Sequence, residues 1–191
     1  MILTQSTLDR YEEWLADAHE NGGTLLIDKE KDWTSFDVVA KLRGIVRIKK
    51  IGHAGTLDPL ATGLLVVCVG KATKTIDHFQ GMPKIYRAVV KLGATTKTDD
   101  AEAEEENVRD CSLLQREHVE QVVQSFTGDI EQLPPMLSAI KKNGVPLYKM
   151  AGKGQEIARE PRKVRIESIT IPDVALPYLH IDVLCSKGTY I

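Results

Sequence analysis

Aromatic side chains are scarce in this chain of 191 residues, at 5 % of the total. Each Tyr or Trp that falls near a loop therefore merits attention. Cysteine is limited to Cys68, Cys111 and Cys185. An odd number at wide spacing, without paired ligand patterns, argues against a disulfide framework and a zinc site, and fits a reducing cytoplasm. Long apolar runs are missing too: the longest, around Leu64 to Val69, is far too short to span a membrane. The opening "MILTQSTLDRYEEWLADAHE" lacks the basic start and apolar stretch of a signal peptide. Apolar content of 42 % and charged content of 27 % are those of a soluble globular chain, long enough for one sizeable core or two small ones.

A large net charge is also lacking, but the −2 total hides an asymmetry. Asp99 to Glu131 holds eleven acidic and two basic residues, leaving +7 for the remainder. Lys41, Arg43, Arg47, Lys49 and Lys50 crowd the stretch up to His53, which contains no acid. Lys141 to Arg165 carries eight basic residues against Glu156 and Glu160. Solvated faces explain any one such cluster; two that converge would make a polyanion-binding surface.

Periodicity predicts helices over Ser6 to His19, Thr34 to Arg47 and Arg116 to Phe126. The second has Thr34 or Ser35 as its cap and Val38, Val39, Leu42, Ile45 and Val46 as its inner stripe. Strands are predicted over Thr24 to Lys29, Gly63 to Gly70, Lys84 to Thr96, near Met136 to Lys141, and in "RKVRIESITI" and "YLHIDVLCSKGTYI". A short helix is expected in "PLYKMAGKG", and Ile51 to Pro59 is a Gly-rich loop. Strict strand–helix alternation is absent, so the expected class is α+β, with a mixed, mostly antiparallel sheet flanked by helices and loops. The chain stops directly after "CSKGTYI" with no breaking signal, so a longer protein is expected.

"GHAGTLDPLATGLL", Gly52 to Leu65, sets one carboxylate between glycines. Taken alone, Asp58 reads as a turn-capping residue before proline, and His53 as a packing or hydrogen-bonding one. Several chemistries fall away. "GLLVVCVGKAT" has six residues between its glycines where a phosphate loop has four. No helix carries paired His at metal spacing, and no Gly-x-Ser-x-Gly elbow occurs. An ordinary aspartate is ionised at neutral pH and weakly nucleophilic. It suits attack on an electrophilic carbon, or stabilisation of an oxocarbenium-like sugar.

The same loop closely resembles the signature loop of the TruB-type tRNA pseudouridine synthases, which act on uridine 55 of the T-arm. "LLIDKEKDWTSFDVV" resembles that family's opening strand and helix, "KIYRAVVKLGATTKTDD" its second motif, "PPMLSAIKKNGVPLYKMAGKG" its third and "VLCSKGTYI" its last catalytic strand. The resemblance covers residues 24–191, making this a catalytic domain without its C-terminal end or the family's PUA domain; residues 1–23 then form a helical extension. It implies an isomerase that converts uridine to pseudouridine with no cofactor or metal, acting as a monomer on the tRNA T-arm in the cytoplasm. By position, Asp58 matches the catalytic aspartate, which either attacks the ring or assists at the sugar. Tyr86 matches the tyrosine stacked on the target base, Tyr190 a second aromatic of the uridine pocket, His53 a contact to the disrupted T-loop, and Lys29 a contact to the RNA backbone. The target base must be flipped out to be reached, stacked on an aromatic platform, and kept from water while its bond is broken and remade.

The sequence departs from the pattern at four places. Glu30 and Asp32 stand where the family usually has Pro and Gly, which implies a rearranged turn. Leu137 replaces a frequent aromatic. An arginine that pairs with the catalytic aspartate would fall beyond Ile191. The alternatives to an isomerase are a non-catalytic tRNA-binding or tRNA-folding module, and a hydrolase with an aspartyl nucleophile.

Overall fold

A computed structural model describes residues 2–136, 138, 141–142, 145–146 and 158–191. It divides into two compact units, Met1–Met82 and Pro83–Ile191. In the first unit β1 (Ile2–Leu3), α1 (Tyr11–Asn21), β2 (Gly23–Lys29), α2 (Ser35–Val46), β3 (Ile51–His53), β4 (Gly63–Val69) and α3 (Ile76–Gly81) follow in order. Short 3-10 segments, Gln5–Arg10 and Gly70–Thr75, lead into α1 and α3. The sheet runs β1-β2-β4-β3, with β1 parallel to β2 and the other pairs antiparallel.

The core of this unit gathers Leu25 of β2, Leu65, Val67 and Val69 of β4, Val38, Val39 and Val46 of α2, and Trp14 and Ala18 of α1. Trp14 is fully buried and stacks on Tyr11 with ring centroids 6.3 Å apart. Gly23 makes that fit possible, because a Cβ there would lie 2.6 Å from the indole. Leu3, Trp14 and Ala18, from the stretch 1–23 expected as a helical extension, lie in the same buried cluster as Leu25 of β2. In the α2 stripe Val38, Val39 and Val46 are buried as the spacing predicts and Leu42 is half-buried, whereas Ile45 is 50 % exposed, at the edge of the apolar arc.

In the second unit come β5 (Lys84–Lys91), α4 (Arg116–Gln124), β6 (Gly128–Gln132), β7 (Lys141–Lys142), β8 (Val145–Pro146), β9 (Arg162–Ala175) and β10 (Tyr178–Cys185). An antiparallel sheet runs β5-β10-β9-β6, and β7 pairs with β8. Ile166, Val183 and Cys185 form its buried cluster, with Tyr86, Ile130, Ile169 and Ile181 packed against it. Arg87 and Asp182, directly opposite in register, pair across the exposed strands at 2.9 Å, a contact worth little in water.

The α+β class and mostly antiparallel pairing agree with expectation. The described strands form two four-stranded sheets and the β7–β8 pair rather than one sheet. The third predicted helix ends at Gln124, and the acidic stretch after β5 carries an isolated bridge, Thr95 to Glu106. Leu137, most of the strand expected near Met136 to Lys141 and most of "PLYKMAGKG" lie outside the described residues.

A reciprocal cap starts α2. The Asp37 N–H donates to Thr34 Oγ1 at 3.0 Å, while the Thr34 N–H and hydroxyl donate to Asp37 Oδ2 at 2.9 and 2.6 Å. Thr34→Ala is expected to lower stability by about 1 kcal/mol in urea unfolding. The Thr34 hydroxyl, and then its N–H, hold the Asp37 carboxyl below its usual range. That part of the stability is full above the unfolded carboxyl's range and fades as pH falls through the lowered value. The Thr34→Ala variant should lose the hydroxyl's share of this acid-side dependence and keep the share from the main-chain N–H.

Candidate active site

The loop between β3 and β4 is held at three points before it reaches β4. At its entry the Ala54 N–H donates to Val66 O at 2.8 Å. Next, Ser35, the first residue of α2 and 2 % exposed, grips Leu57 from both sides. Its Oγ accepts from the Leu57 N–H at 2.9 Å and donates to Leu57 O at 3.2 Å. One residue beyond Asp58, Pro59 O accepts from the Asp32 N–H at 2.9 Å and from Lys29 Nζ at 3.3 Å. Asp58 therefore sits between two anchored peptides. Its own carbonyl accepts from the Ala61 N–H at 3.1 Å to close the turn, and the residue is exposed.

Lys29 differs from its expected role at the RNA backbone. It is 1 % exposed, and its ammonium donates to Trp33 O at 2.6 Å, Glu30 O at 2.9 Å and Pro59 O. An ammonium has three N–H donors, and here all three are engaged by main-chain carbonyls. A buried cation without such partners would carry a severe desolvation cost. Lys29 therefore fixes the turn after β2 and the far side of the Asp58 loop. Asp32 occupies that turn at φ +67°, the left-handed region glycine fills most readily and aspartate tolerates better than most residues.

His53 Nδ1 lies 2.6 Å from Gly55 O. A carbonyl only accepts, so Nδ1 carries the hydrogen, and in the neutral ring Nε2 is left as an acceptor. Gly55 itself has φ +145°, which favours glycine at this bend. Lys41, Arg43, Arg47, Lys49 and Lys50 are all exposed along α2 and the link to β3. Arg47 ends α2 in the left-handed region.

Tyr86 and Tyr190 belong to the second unit. Tyr86 stands opposite Val183 and is half-buried against the cluster of Ile166, Val183 and Cys185. Tyr190 follows the turn after β10. Nearby, burial pushes the Cys185 thiol up and the Lys84 ammonium down. Of the second basic stretch, Lys149 and Lys153 lie outside the described residues. Within it, Arg165 is tied to Glu167 at 2.8 Å and Asp129 at 3.3 Å. Sequence alone does not single out Ser35 as a site residue. Ser35 had a faint signal as a possible helix cap.

Among the described residues, no cluster of three or more His, Cys, Asp and Glu could hold a metal ion, and no helix is long and apolar enough to cross a membrane. Lys29→Met should lower stability by about 3 kcal/mol in urea unfolding, through carbonyls left without a charged donor.

The family model for the N-terminal domain of TruB family pseudouridylate synthases matches residues 43–191. The tRNA pseudouridine synthase B of Clostridium kluyveri is 50 % identical over 169 residues, covering 88 % of this chain and 58 % of that protein. The Geobacter sulfurreducens protein of the same name is 46 % identical over 169 residues, covering 88 % and 56 %. The chain thus spans somewhat over half the length of these curated relatives. Among solved structures, a chain of a Cbf5–Nop10–Gar1 complex shares the fold with a TM-score of 0.67 at 26 % identity, covering 93 % of this chain and 43 % of that one. A loop anchored on both sides of one aspartate, in a sequence matched over most of its length, leads to one assignment: the chain belongs to the TruB family of pseudouridylate synthases.

Proposed function

We propose that this chain supplies the catalytic domain of a tRNA pseudouridine-55 synthase, with Asp58 as its catalytic residue. The observation that carries this reading is the pinning of Leu57 by Ser35 and of Pro59 by Lys29 and Asp32. It holds one carboxylate at a set place while leaving the side chain exposed to an incoming substrate. The reaction breaks the bond from uracil N1 to C1′ and forms one from C5 to C1′. A proton leaves C5 and one arrives at N1, so the change is an isomerisation and balances without a co-reactant. The carboxylate acts at the sugar–base junction, by attack or by stabilising positive charge at C1′. An exposed Asp58 means that the extruded nucleotide itself displaces water from the carboxylate on binding.

Tyr86 provides the stacking surface for the flipped base and Tyr190 a second wall. His53, with Nε2 as acceptor, faces a donor group of the opened T-loop. The exposed cations from Lys41 to Lys50 hold phosphates, so affinity should fall as salt rises. The protein acts as a monomer in the cytoplasm.

Protein expressed from the complete gene, incubated with unmodified tRNA transcript, should form one pseudouridine in the T-loop, mapped by carbodiimide modification and primer extension. Asp58→Asn should reduce the single-turnover rate by about 10³-fold while leaving tRNA affinity within about twofold. An Asp58→Asn protein at the wild-type rate would refute the role. A wild-type protein that binds tRNA without modifying it would favour the binding or folding module.

A further inference from the structure

We propose that Gln132 is the positioning residue for Tyr190, an inference that rests on the placement of Tyr190 in the uridine pocket. Gln132 is the last residue of β6. Its Nε2 donates to Tyr190 O at 2.7 Å, and its Oε1 accepts from the Tyr190 N–H at 2.9 Å. One side-chain amide thereby takes both main-chain groups of one residue, as a neighbouring strand would. The pairing fixes the amide's orientation as well. Turned over, Nε2 would face an N–H and Oε1 a carbonyl, and both contacts would repel.

The need for such a clamp follows from the topology. The ladder between β10 and β9 ends with Cys185 opposite Ile166. On its other side β9 continues to pair with β6, as far as Arg162 opposite Gln132. The chain leaving β10 crosses in that direction. The Ser186 N–H donates to Arg165 O at 2.8 Å, and Ser186 Oγ accepts from the Arg165 N–H at 3.0 Å. Gly188 then turns the backbone at φ +80°, and the Thr189 hydroxyl donates back to Ser186 O at 3.0 Å. Tyr190 comes next, after a glycine turn whose backbone can take many paths. The amide of Gln132 selects one of them. Fixing the peptide groups on either side of the Tyr190 Cα sets the direction of its Cα–Cβ bond, and so where the ring can reach. A side chain that touches no substrate can therefore control the geometry of one that does.

The test pairs hydrogen exchange with kinetics on protein from the complete gene. Gln132→Met removes donor and acceptor at similar length. Gln132→Glu keeps the acceptor but sets a carboxylate against Tyr190 O. In Gln132→Met the Tyr190 amide should lose its exchange protection, while the Val183 amide, inside the β5–β10–β9 ladders, keeps its own as a check on folding. Single-turnover pseudouridine formation should slow roughly 10- to 100-fold, with KM for tRNA changed less than about twofold. A Gln132→Met protein with wild-type rate, alongside a Tyr190→Leu protein that has lost activity, would overturn the clamp and leave the role of Tyr190 standing. A Tyr190→Leu protein at wild-type rate would remove Tyr190 from the pocket, and the inference with it. Protection of the Tyr190 amide that survives Gln132→Met would also overturn it.

Discussion

A lysine ammonium taken out of water must keep its N–H groups occupied, and Lys29 does so with carbonyls of Glu30, Trp33 and Pro59. Two of these lie within four residues of it, and the third lies thirty residues away in the Asp58 loop. The cation thus joins the end of β2, the turn leading to α2 and the far side of the loop. Charge-assisted hydrogen bonds of this kind are stronger than neutral ones, and removing the donor would leave three carbonyls poorly served at once. The turn at Asp32 follows from the same arrangement, since its N–H shares Pro59 O with the ammonium.

Much of the first unit could be read directly from residue spacing. A cap residue at Thr34 or Ser35 announces the start of α2, and the valine stripe announces its buried face. β4 is a continuous apolar run bounded by glycine, and β2 carries Leu25, Leu26 and Ile27 soon after Gly23. The elements that escaped are short. β1 and β3 have two and three residues, fewer than any alternation needs to show itself. β6 is the polar run "GDIEQ" at a sheet edge, with little apolar signal to mark it. The residue types of the site were visible, but several of their partners were not. Ser35 with Leu57, Lys29 with Pro59 and Gln132 with Tyr190 are separated by 22, 30 and 58 positions, and only a folded chain brings such pairs within 3.3 Å. Charge counting alone likewise treats Arg165 as a free cation, although Glu167 and Asp129 flank it.

A common device recurs in both units. Residues near the candidate chemistry lie outside regular ladders, where their peptide groups would otherwise turn to water. In each case a polar side chain carries both a donor and an acceptor to one residue: the Ser35 hydroxyl to Leu57, the Gln132 amide to Tyr190. A loop restrained in this way keeps the irregular course that a site requires without the mobility that usually accompanies irregular backbone. The turns themselves rely on the few residues that accept positive φ, among them Gly55 and Gly188.

The parallel pairing of Ile2 and Leu3 with Thr24 and Leu25 bears on handling the protein. Those two residues shield part of the outer edge of β2, and α1 sets Trp14 over Gly23 beside it. A fusion joint or protease cut that pulled Ile2 and Leu3 away would bare unpaired peptide groups next to an apolar socket. Such an edge is a template for a strand of another copy, so the first effect of losing this tail would be self-association.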